Sequence, residues 1–248
     1  LAVSGGIDSV VMTHLFLSIK KELALNLAIV HLNHSSRAGD SDQDESFVEQ
    51  LADSMDIPFF SESWSHDEES NFEAKARKAR YKFFEKKRSE IRYDWIATAH
   101  HANDQSETIL MRLITGSSYL GLLGIPKEKG KLFRPLLGFS KEELINYAKE
   151  NSLQYRYDKT NSDNHFDRNR IRNTIIPNIE KINPSFNKTV GRTIRNFNEI
   201  NYFIEKEVRI AYSKSVSITE EGYIQINRKM LKDIPLLIQK ELIRTITN

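Results

Sequence analysis

Apolar and polar residues follow two different spacings over the first 150 positions of the chain. Short, almost wholly apolar runs at 1–3, 25–34, 57–60 and 94–99 are typical of strands buried on both faces of a parallel sheet. The segments between them have apolar residues at helical spacing, as amphipathic helices do. Because strand and helix alternate four times, the pattern predicts an α/β domain with a doubly wound parallel sheet.

The last part of the chain has a different, mainly helical pattern. Residues 189–214 have the apolar spacing of one long helix, and residues 215–227 predict a hairpin around Glu221-Gly222. Residues 228–248 again predict a helix.

These patterns predict two domains. We expect a catalytic domain over residues 1–187, followed by a helical linker and the start of a second domain over residues 188–248. Since Leu1 falls inside a predicted strand, we expect the sequence to be part of a longer protein.

The composition excludes several kinds of chemistry. The 248 residues contain no cysteine, so they supply no disulfide, cysteine nucleophile, iron–sulfur ligand or thiolate zinc site. No apolar run approaches the ~20 residues of a membrane span. Glycines and polar residues after position 3 also interrupt any signal-peptide core. We therefore expect a cytoplasmic protein without a membrane partner.

Charge is distributed unevenly, although the net charge is only +2. Residues 75–92 carry nine lysines and arginines and only two acidic residues. A basic helix of this density indicates a polyanionic partner such as RNA, while a solvated lysine-rich helix face would give the same run.

The turn after the first predicted strand reads Ser4-Gly5-Gly6-Ile7-Asp8-Ser9, and we call it the glycine turn. Its paired glycines and the following helix N-terminus favour an anion such as phosphate. Asp8 would repel phosphate unless a divalent cation lay between them. The turn contains no lysine, so it is not a G-x-x-x-x-G-K-[ST] loop, and its adjacent glycines do not have the spacing of a G-x-G-x-x-G loop. A simple capped Gly-Gly turn is the structural alternative.

Polar side chains also follow two other predicted strands. His31 and Asn33 end the second strand, and His100 and Asp104 follow the strand at 94–99. Ligands of open α/β sheets lie outside the carboxyl ends of the strands. Asp104 could simply cap the next helix, but a second carboxylate at this edge is also what Mg²⁺ bound to phosphates needs.

Arginines cluster in two places that suit phosphate contacts. Arg80 shares a helix face with Arg77, and Arg168 shares one with Arg172, whereas Arg170 points elsewhere. A surface ion-pair network would explain the second cluster equally well.

Taken in order, these motifs resemble those of the tRNA(Ile)-lysidine synthetase family, within the PP-loop superfamily of N-type ATP pyrophosphatases. The first motif is common to the superfamily, whereas the ordered set is more specific. The resemblance covers most of residues 1–177, and its motifs are the glycine turn, His31-Leu32-Asn33-His34, Glu73 to Phe84, His100-His101 to Thr108, Arg134-Pro135-Leu136-Leu137 and Arg168 to Arg172.

The resemblance implies an adenine nucleotide alpha hydrolase-like fold and a ligase that modifies tRNA. Such an enzyme joins L-lysine to C2 of the wobble cytidine of tRNA(Ile) with a CAU anticodon. It uses ATP and Mg²⁺, proceeds through an adenylated cytidine, and releases AMP and pyrophosphate. The family commonly has two adjacent aspartates after the His-His pair, and here the first is Asn103. We expect Asp104 to be the metal ligand.

The same resemblance assigns roles to residues. ATP is expected to bind at Ser4, Gly5, Gly6, Ile7, Asp8, Ser9, His31, Asn33 and His100. Mg²⁺ is expected at Asp8 and Asp104, and the catalytic residues are expected to be Asp8, Arg80, Asp104 and Arg172. The tRNA contacts are expected from the basic helix and the second arginine cluster rather than from the resemblance, and they are Lys78, Lys82, Lys86, Lys87 and Arg168.

Two other functions stay open at this point. A PP-loop tRNA 2-thiolase would activate a similar carbonyl, but it normally needs cysteines, which are absent here. A non-catalytic ATP-binding or RNA-binding module is the second alternative. The oligomeric state is open as well, with a homodimer as one alternative.

Overall fold

The computed structural model describes residues 1–33, 40–64, 72–157 and 167–247, so His34 of the second motif lies outside the described residues. Up to residue 157 the elements are α1 (Ile7–Ile19), β1 (Ile29–Asn33), α2 (Asp40–Ser54), β2 (Phe59–Ser63), α3 (Phe72–Glu90), β3 (Ile96–Ala97), α4 (Ala102–Thr115), a 3₁₀ helix (Tyr119–Leu123), β4 (Glu128–Lys129), β5 (Leu132–Phe133), a second 3₁₀ helix (Pro135–Gly138) and α5 (Lys141–Glu150). From residue 167 they are α6 (Asp167–Arg170), a π-helical turn (Ile171–Ile175), α7 (Ile176–Ile182), α8 (Phe186–Ser215), β6 (Val216–Ile218), β7 (Ile224–Ile226), α9 (Arg228–Leu231) and α10 (Leu236–Thr247).

Parallel strand pairs form the sheet, as predicted. β1 pairs with β2 and β3 pairs with β5, both in parallel, while β4 adds an antiparallel edge. Residues 1–3 lie between the two strand pairs and bond to both β1 and β3. The backbone N–H of Val30 donates to the carbonyl of Leu1 at 2.8 Å, and that of Ala2 donates to the carbonyl of Ala97 at 2.9 Å. The first predicted strand therefore forms only an isolated parallel β-bridge, between Ala2 and Val30, and the glycine turn follows it directly.

Helices cover both faces of this sheet. Neighbouring residues of β1 point to opposite faces, so Ile29 packs with α2, and Val30 packs with Phe83 of α3. On the face away from α3, α1 and α5 pack together through Val11 and Leu144. This is the doubly wound α/β arrangement predicted from the apolar runs.

The chain divides into two compact units. The first comprises Leu1–Thr115 and Gly124–Gly191, and the second comprises Gly116–Leu123 and Arg192–Asn248. The second unit has its own apolar core, formed by Ile204, Val208, Ala211, Ile238 and Leu242. Among the described residues, no helix combines the length and apolar character needed to cross a membrane.

The end of the second unit confirms one expectation and corrects another. The predicted hairpin is present as the antiparallel pair β6 and β7, with Gly222 at φ +87° in its turn. The single helix predicted over residues 228–248 is wrong, because the chain forms α9 and α10 with a break at residues 232–235. Pro235 explains the break, since its ring has no N–H for the helical ladder and clashes with the preceding turn.

Candidate active site

The glycine turn is closed by its own hydrogen bonds. The Ser9 hydroxyl donates to the Gly6 carbonyl at 2.8 Å and accepts the Ser4 backbone N–H at 3.2 Å. Gly5 has φ +88°, and a Cβ atom there would come within 3.3 Å of the Phe47 ring. The N-cap of α1 is Gly6, which has no side chain to occupy the N–H groups of the first helical turn. Those groups are therefore oriented to bind an anion.

Arg156 holds this turn against α2. Its backbone N–H donates to the Gly5 carbonyl at 2.9 Å, and its guanidinium bonds Asp44 at 2.7 Å and Gln43 at 3.1 Å. Sequence reasoning did not identify Arg156, because nothing in the local pattern relates position 156 to position 5.

The two predicted ATP-binding residues at the end of β1 are buried and hydrogen-bonded. His31 donates from Nδ1 to the Val3 carbonyl at 2.8 Å, and burial lowers its pKa. The ring is therefore neutral at pH 7, and Nε2 remains as an acceptor. Asn33 donates to Asp42 at 2.9 Å and to Glu45 at 2.7 Å. In this structure Asn33 therefore supports the strand end against α2.

Asp8 and Asp104, the predicted metal ligands, approach the same imidazole. His101 Nε2 lies 3.8 Å from Asp8 Oδ2 and 3.7 Å from Asp104 Oδ2. Asp104 Oδ2 also accepts the backbone N–H of His101 at 2.9 Å. Burial tends to raise the pKa of Asp104, but His101 and Arg168 outweigh it and leave the pKa below its ordinary value. Asp104 is therefore an ionised carboxylate at neutral pH.

Two arginines clamp the carboxylates of α4. Arg168 bonds Asp104 Oδ1 at 3.0 Å and Glu107 Oε2 at 2.7 Å, and Arg172 bonds the other oxygen of Glu107 at 2.5 Å. Arg170 is exposed, as the helical spacing predicted. Glu107 is only 1% exposed, although sequence reasoning assigned it no role at the site. Arg168, an expected tRNA contact, lies among the acidic groups of the site.

The helix that carries Arg172 is locally wound as a π-helix. The N–H of Ile176 bonds the carbonyl of Ile171, five residues back. Pro177 follows directly and has no N–H with which to continue an α-helical ladder. Such π-helical turns are frequent at functional sites.

His100 is a neutral imidazole inside this cluster. Burial lowers its pKa to about 4, and the Arg134 and Arg77 cations favour the neutral form further. Its Nδ1 lies 3.0 Å from the Thr98 hydroxyl. A neutral ring at this strand end can donate or accept one hydrogen bond without adding charge.

Arg77 and Arg80, which were predicted to share a helix face, differ in exposure. Arg77 is exposed and lies 5.1 Å from the centre of the Tyr81 ring. Arg80 is half-buried, and its charge contributes to the lowered pKa of His31. Phe84, seven positions after Arg77 on α3, is buried in the core.

The sequence pattern of the family described as the PP-loop domain matches residues 1–179. The chain belongs to the PP-loop family. The predicted adenine nucleotide alpha hydrolase-like fold is confirmed by this match and by the similarity to a solved structure of the same fold.

Curated relatives are similar over nearly the whole chain. A tRNA(Ile)-lysidine synthase from Geobacter sulfurreducens is 36% identical, covering 98% of this chain and 53% of the relative. The tRNA(Ile)-lysidine synthases of Enterococcus faecalis and Streptococcus sanguinis are 32% and 36% identical, covering 95% and 94% of this chain. The chain spans about half the length of these relatives.

A solved structure shares the fold at lower identity. It is the U34-tRNA thiolase NcsA from Methanococcus maripaludis with its [4Fe-4S] cluster, at a TM-score of 0.67 and 20% identity. The alignment covers 80% of this chain and 70% of that chain. At this identity the similarity establishes the PP-loop fold alone.

The acidic groups of this PP-loop site suit a metal ion shared with phosphates. Within the residues that the structure describes, no group of three His, Asp or Glu side chains could hold a metal by itself. Mg²⁺ is usually held by one or two carboxylates together with substrate phosphates. Asp8, whose side chain is 28% exposed, and Asp104 fit that requirement.

The four lysines predicted to contact tRNA are not equivalent on α3. Lys78 and Lys82 are exposed, and no described residue forms an ion pair with either. Lys86 is exposed too but lies 3.5 Å from Glu62. Lys87 bonds Glu90 at 2.7 Å and lies over the Phe60 ring.

Two further residues of the PP-loop site escaped sequence reasoning. Lys141 Nζ lies 2.6 Å from Asp8 Oδ1. Arg134 is 5% exposed and donates to the Pro126 carbonyl at 2.7 Å, and its Nε has no partner among the described residues. The Arg134-Pro135-Leu136-Leu137 motif was a signal for Arg134, whereas nothing in the local pattern relates Lys141 to Asp8.

Proposed function

We propose that this chain is the ATP-using part of a tRNA(Ile)-lysidine synthase. It would ligate L-lysine to C2 of the wobble cytidine of tRNA(Ile) with a CAU anticodon, and release AMP and pyrophosphate. The similarity to relatives of that name over more than nine-tenths of the chain supports this assignment. The absence of cysteine from the 248 residues disfavours sulfur transfer through a bound cluster.

The observation that carries the proposal is the convergence of Asp8 and Asp104 on His101, beside the open N-terminus of α1. Pyrophosphate would bind the backbone N–H groups of the glycine turn, as anions do at helix N-termini. Magnesium held by Asp8 and Asp104 would neutralise charge on the phosphates. The α-phosphate would then lie between the glycine turn and the arginines that face α4.

The reaction divides into two substitutions. In the first, the C2 carbonyl oxygen of cytidine attacks the α-phosphorus and pyrophosphate leaves. In the second, the ε-amine of lysine attacks C2 and AMP leaves with that oxygen. We assign Arg80 and Arg172 to the phosphate or the adenylated base, because a planar guanidinium can bind two oxygens at once. Fixed cations of this kind stabilise charge that develops in the transition state.

Other parts of the proposal concern partners and organisation. Lys78 and Lys82 of α3 face solvent and suit the phosphates of tRNA. We keep residues 1–187 as the catalytic domain and residues 188–248 as the linker and start of a tRNA-contacting domain. A cytoplasmic location and a homodimer remain predictions.

The decisive experiment is direct analysis of the wobble nucleoside. The protein is incubated with ATP, Mg²⁺, isotope-labelled L-lysine and a tRNA(Ile) transcript with a CAU anticodon, and the digested nucleosides are analysed by mass spectrometry. We expect a labelled cytidine derivative whose formation requires ATP. A matched transcript with uridine at the wobble position is the control and should stay unmodified.

Two outcomes would contradict the proposal. ATP and tRNA binding without any modified nucleoside would favour a non-catalytic module. Modification of the uridine control, or a product without lysine, would favour another PP-loop chemistry.

A further inference from the structure

Lys141 contacts the carboxylate of the glycine turn from a distant part of the chain. Its Nζ lies 2.6 Å from Asp8 Oδ1, although 133 positions separate the two residues. Both side chains are partly open to solvent, at 35% for Lys141 and 28% for Asp8. A ligand bound at the first turn of α1 can therefore reach the ammonium group.

The position of Lys141 is held by several bonds. Its backbone N–H donates to the side-chain oxygen of Asn103 at 2.9 Å, which ties the start of α5 to the start of α4. Ser140 and Glu143 form a complete capping box around the same helix start. The packing of Leu144 against Val11 fixes α5 against α1. These contacts fix the start of α5, so the ammonium group of Lys141 is held next to the glycine turn.

A lysine is an unfavourable choice for the first position of a helix on electrostatic grounds alone. The helix dipole places partial positive charge at that end and favours acidic residues there. The next two positions, Glu142 and Glu143, follow that rule, and Lys141 does not. A cation at this position is better explained by its contact with Asp8 at the glycine turn than by helix stability.

The glycine turn itself contains no lysine, whereas a Walker A loop supplies one from its own turn to the phosphates. We propose that Lys141 provides, from α5, the phosphate-binding cation that the glycine turn lacks. Its ammonium pairs with Asp8 in the free protein and contacts the pyrophosphate oxygens when nucleotide is bound. This inference rests on the proposed function, because it assigns a contact to the nucleotide of that site.

The ion pair with Asp8 has a simpler explanation, in which Lys141 only ties α5 to α1. A double-mutant cycle separates the two explanations. If Lys141 acts only through Asp8, its removal has no effect once Asp8 is changed to asparagine. If Lys141 contacts phosphate, its removal weakens anion binding in both backgrounds.

The experiment measures affinity for inorganic pyrophosphate and for ATP by titration calorimetry, with and without Mg²⁺. The proteins are the unchanged chain, Lys141→Met, Lys141→Arg, Asp8→Asn and the double variant Asp8→Asn with Lys141→Met. We expect Lys141→Met to weaken pyrophosphate binding by about tenfold or more, the scale of one hydrogen bond to a charged group, in either background. Lys141→Arg keeps the charge and should lose about threefold or less.

Controls keep the result interpretable. Lys149→Met, at an exposed position near the other end of α5, should leave affinity unchanged. Urea unfolding shows that each variant is folded before its affinity is compared. Unchanged pyrophosphate affinity in Lys141→Met, or an effect that vanishes in the Asp8→Asn background, would overturn the assignment of Lys141 alone. An unchanged chain that binds neither ATP nor pyrophosphate would overturn the proposed function, and the role of Lys141 with it.

Discussion

Asn103 and Asp104 are adjacent, yet the structure gives them different partners. Asn103 accepts the Lys141 backbone N–H at the start of α5, whereas Asp104 faces His101 and Arg168. We expect Asp104→Asn to raise the magnesium concentration needed for half-maximal activity sharply. We expect Asn103→Ala to leave that concentration unchanged and to lower the free energy of unfolding by about 1 kcal/mol, the scale of one lost hydrogen bond. A magnesium titration and urea unfolding of both variants test this, and the opposite ranking would make Asn103 the ligand position.

Arg80 should affect chemistry more than RNA affinity. A lysine at this position keeps the charge but cannot bind two phosphate oxygens in one plane. We expect Arg80→Lys to lower the single-turnover rate of adenylation by about 10²-fold or more, on the scale of losing one preorganised donor. Affinity for tRNA should stay nearly unchanged, with Lys78→Ala as the matched variant that weakens binding without slowing chemistry. Weaker tRNA binding with a normal saturated rate would make Arg80 one more residue of the basic helix.

His100 gives the protein a distinct pH dependence of stability. Its pKa is about 4 in the folded protein, against the ordinary histidine value of 6.5 that applies to the unfolded chain. Below pH 6.5 the unfolded chain therefore takes up a proton that the folded protein does not. The free energy of unfolding consequently decreases as the pH is lowered from 6.5, and this decrease levels off near pH 4. We expect the unchanged chain to lose about 2 kcal/mol more unfolding free energy than His100→Gln between about pH 7.5 and about pH 4.5. Urea unfolding at the two pH values measures this difference, and equal losses would contradict burial of a neutral ring.

At the scale of elements, most of what the sequence predicted came from spacing. The basic helix at residues 75–92 and the hairpin around Glu221-Gly222 were predicted from local patterns, and both are present, as α3 and as the pair β6 and β7. The contact of Lys141 with Asp8 could not be predicted, because it depends on how α1 and α5 pack and not on any nearby pattern. The same holds for Glu107, whose two arginines come from a segment more than sixty positions away. Helices and turns can thus be predicted from local sequence patterns, whereas the ion-pair partner of each charged residue depends on how distant segments pack.

The lysines of α3 should differ in their effect on tRNA binding. Lys78 and Lys82 are exposed and have no described ion-pair partner, while Lys87 is paired with Glu90 and packed over Phe60. We expect Lys78→Ala or Lys82→Ala to weaken tRNA affinity modestly and to lower the salt slope by about one unit. Lys87→Ala should have a smaller effect, because its charge is already partly neutralised. Binding measured over a range of KCl concentrations tests the order, and equal slopes for all three would mean that the ion pair opens on binding.

At the scale of the whole molecule, the spacing of apolar residues predicted an α/β part followed by a helical part. It did not predict which residues belong to each compact unit. Residues 116–123 belong to the second compact unit together with residues 192–247, because Tyr119 packs against its core. Nothing in the glycine-rich stretch around Tyr119 indicates such a long-range contact. Residues after 123 are held differently: the Gln105 side chain bonds both backbone groups of Ile125, at 2.6 and 2.8 Å. The glycine-rich stretch at residues 116–130 is therefore divided between the two units, and no local pattern indicates where the division falls.

The order of the two chemical steps can be tested on the whole protein with one exchange assay. If cytidine is adenylated first, exchange of labelled pyrophosphate into ATP requires tRNA(Ile) but not lysine. Activation of the lysine carboxylate would give the reverse requirement, namely exchange with lysine and without tRNA. We expect tRNA-dependent, lysine-independent exchange that Asp8→Ala abolishes, because the variant removes the carboxylate that faces both His101 and Lys141 at the mouth of the glycine turn. Urea unfolding of Asp8→Ala should show a folded protein, since Asp8 is partly exposed and belongs to no apolar core cluster among the described residues. Near-normal exchange in the folded variant would reduce Asp8 to a helix-terminal residue, and exchange that needs lysine would replace cytidine adenylation by amino-acid activation.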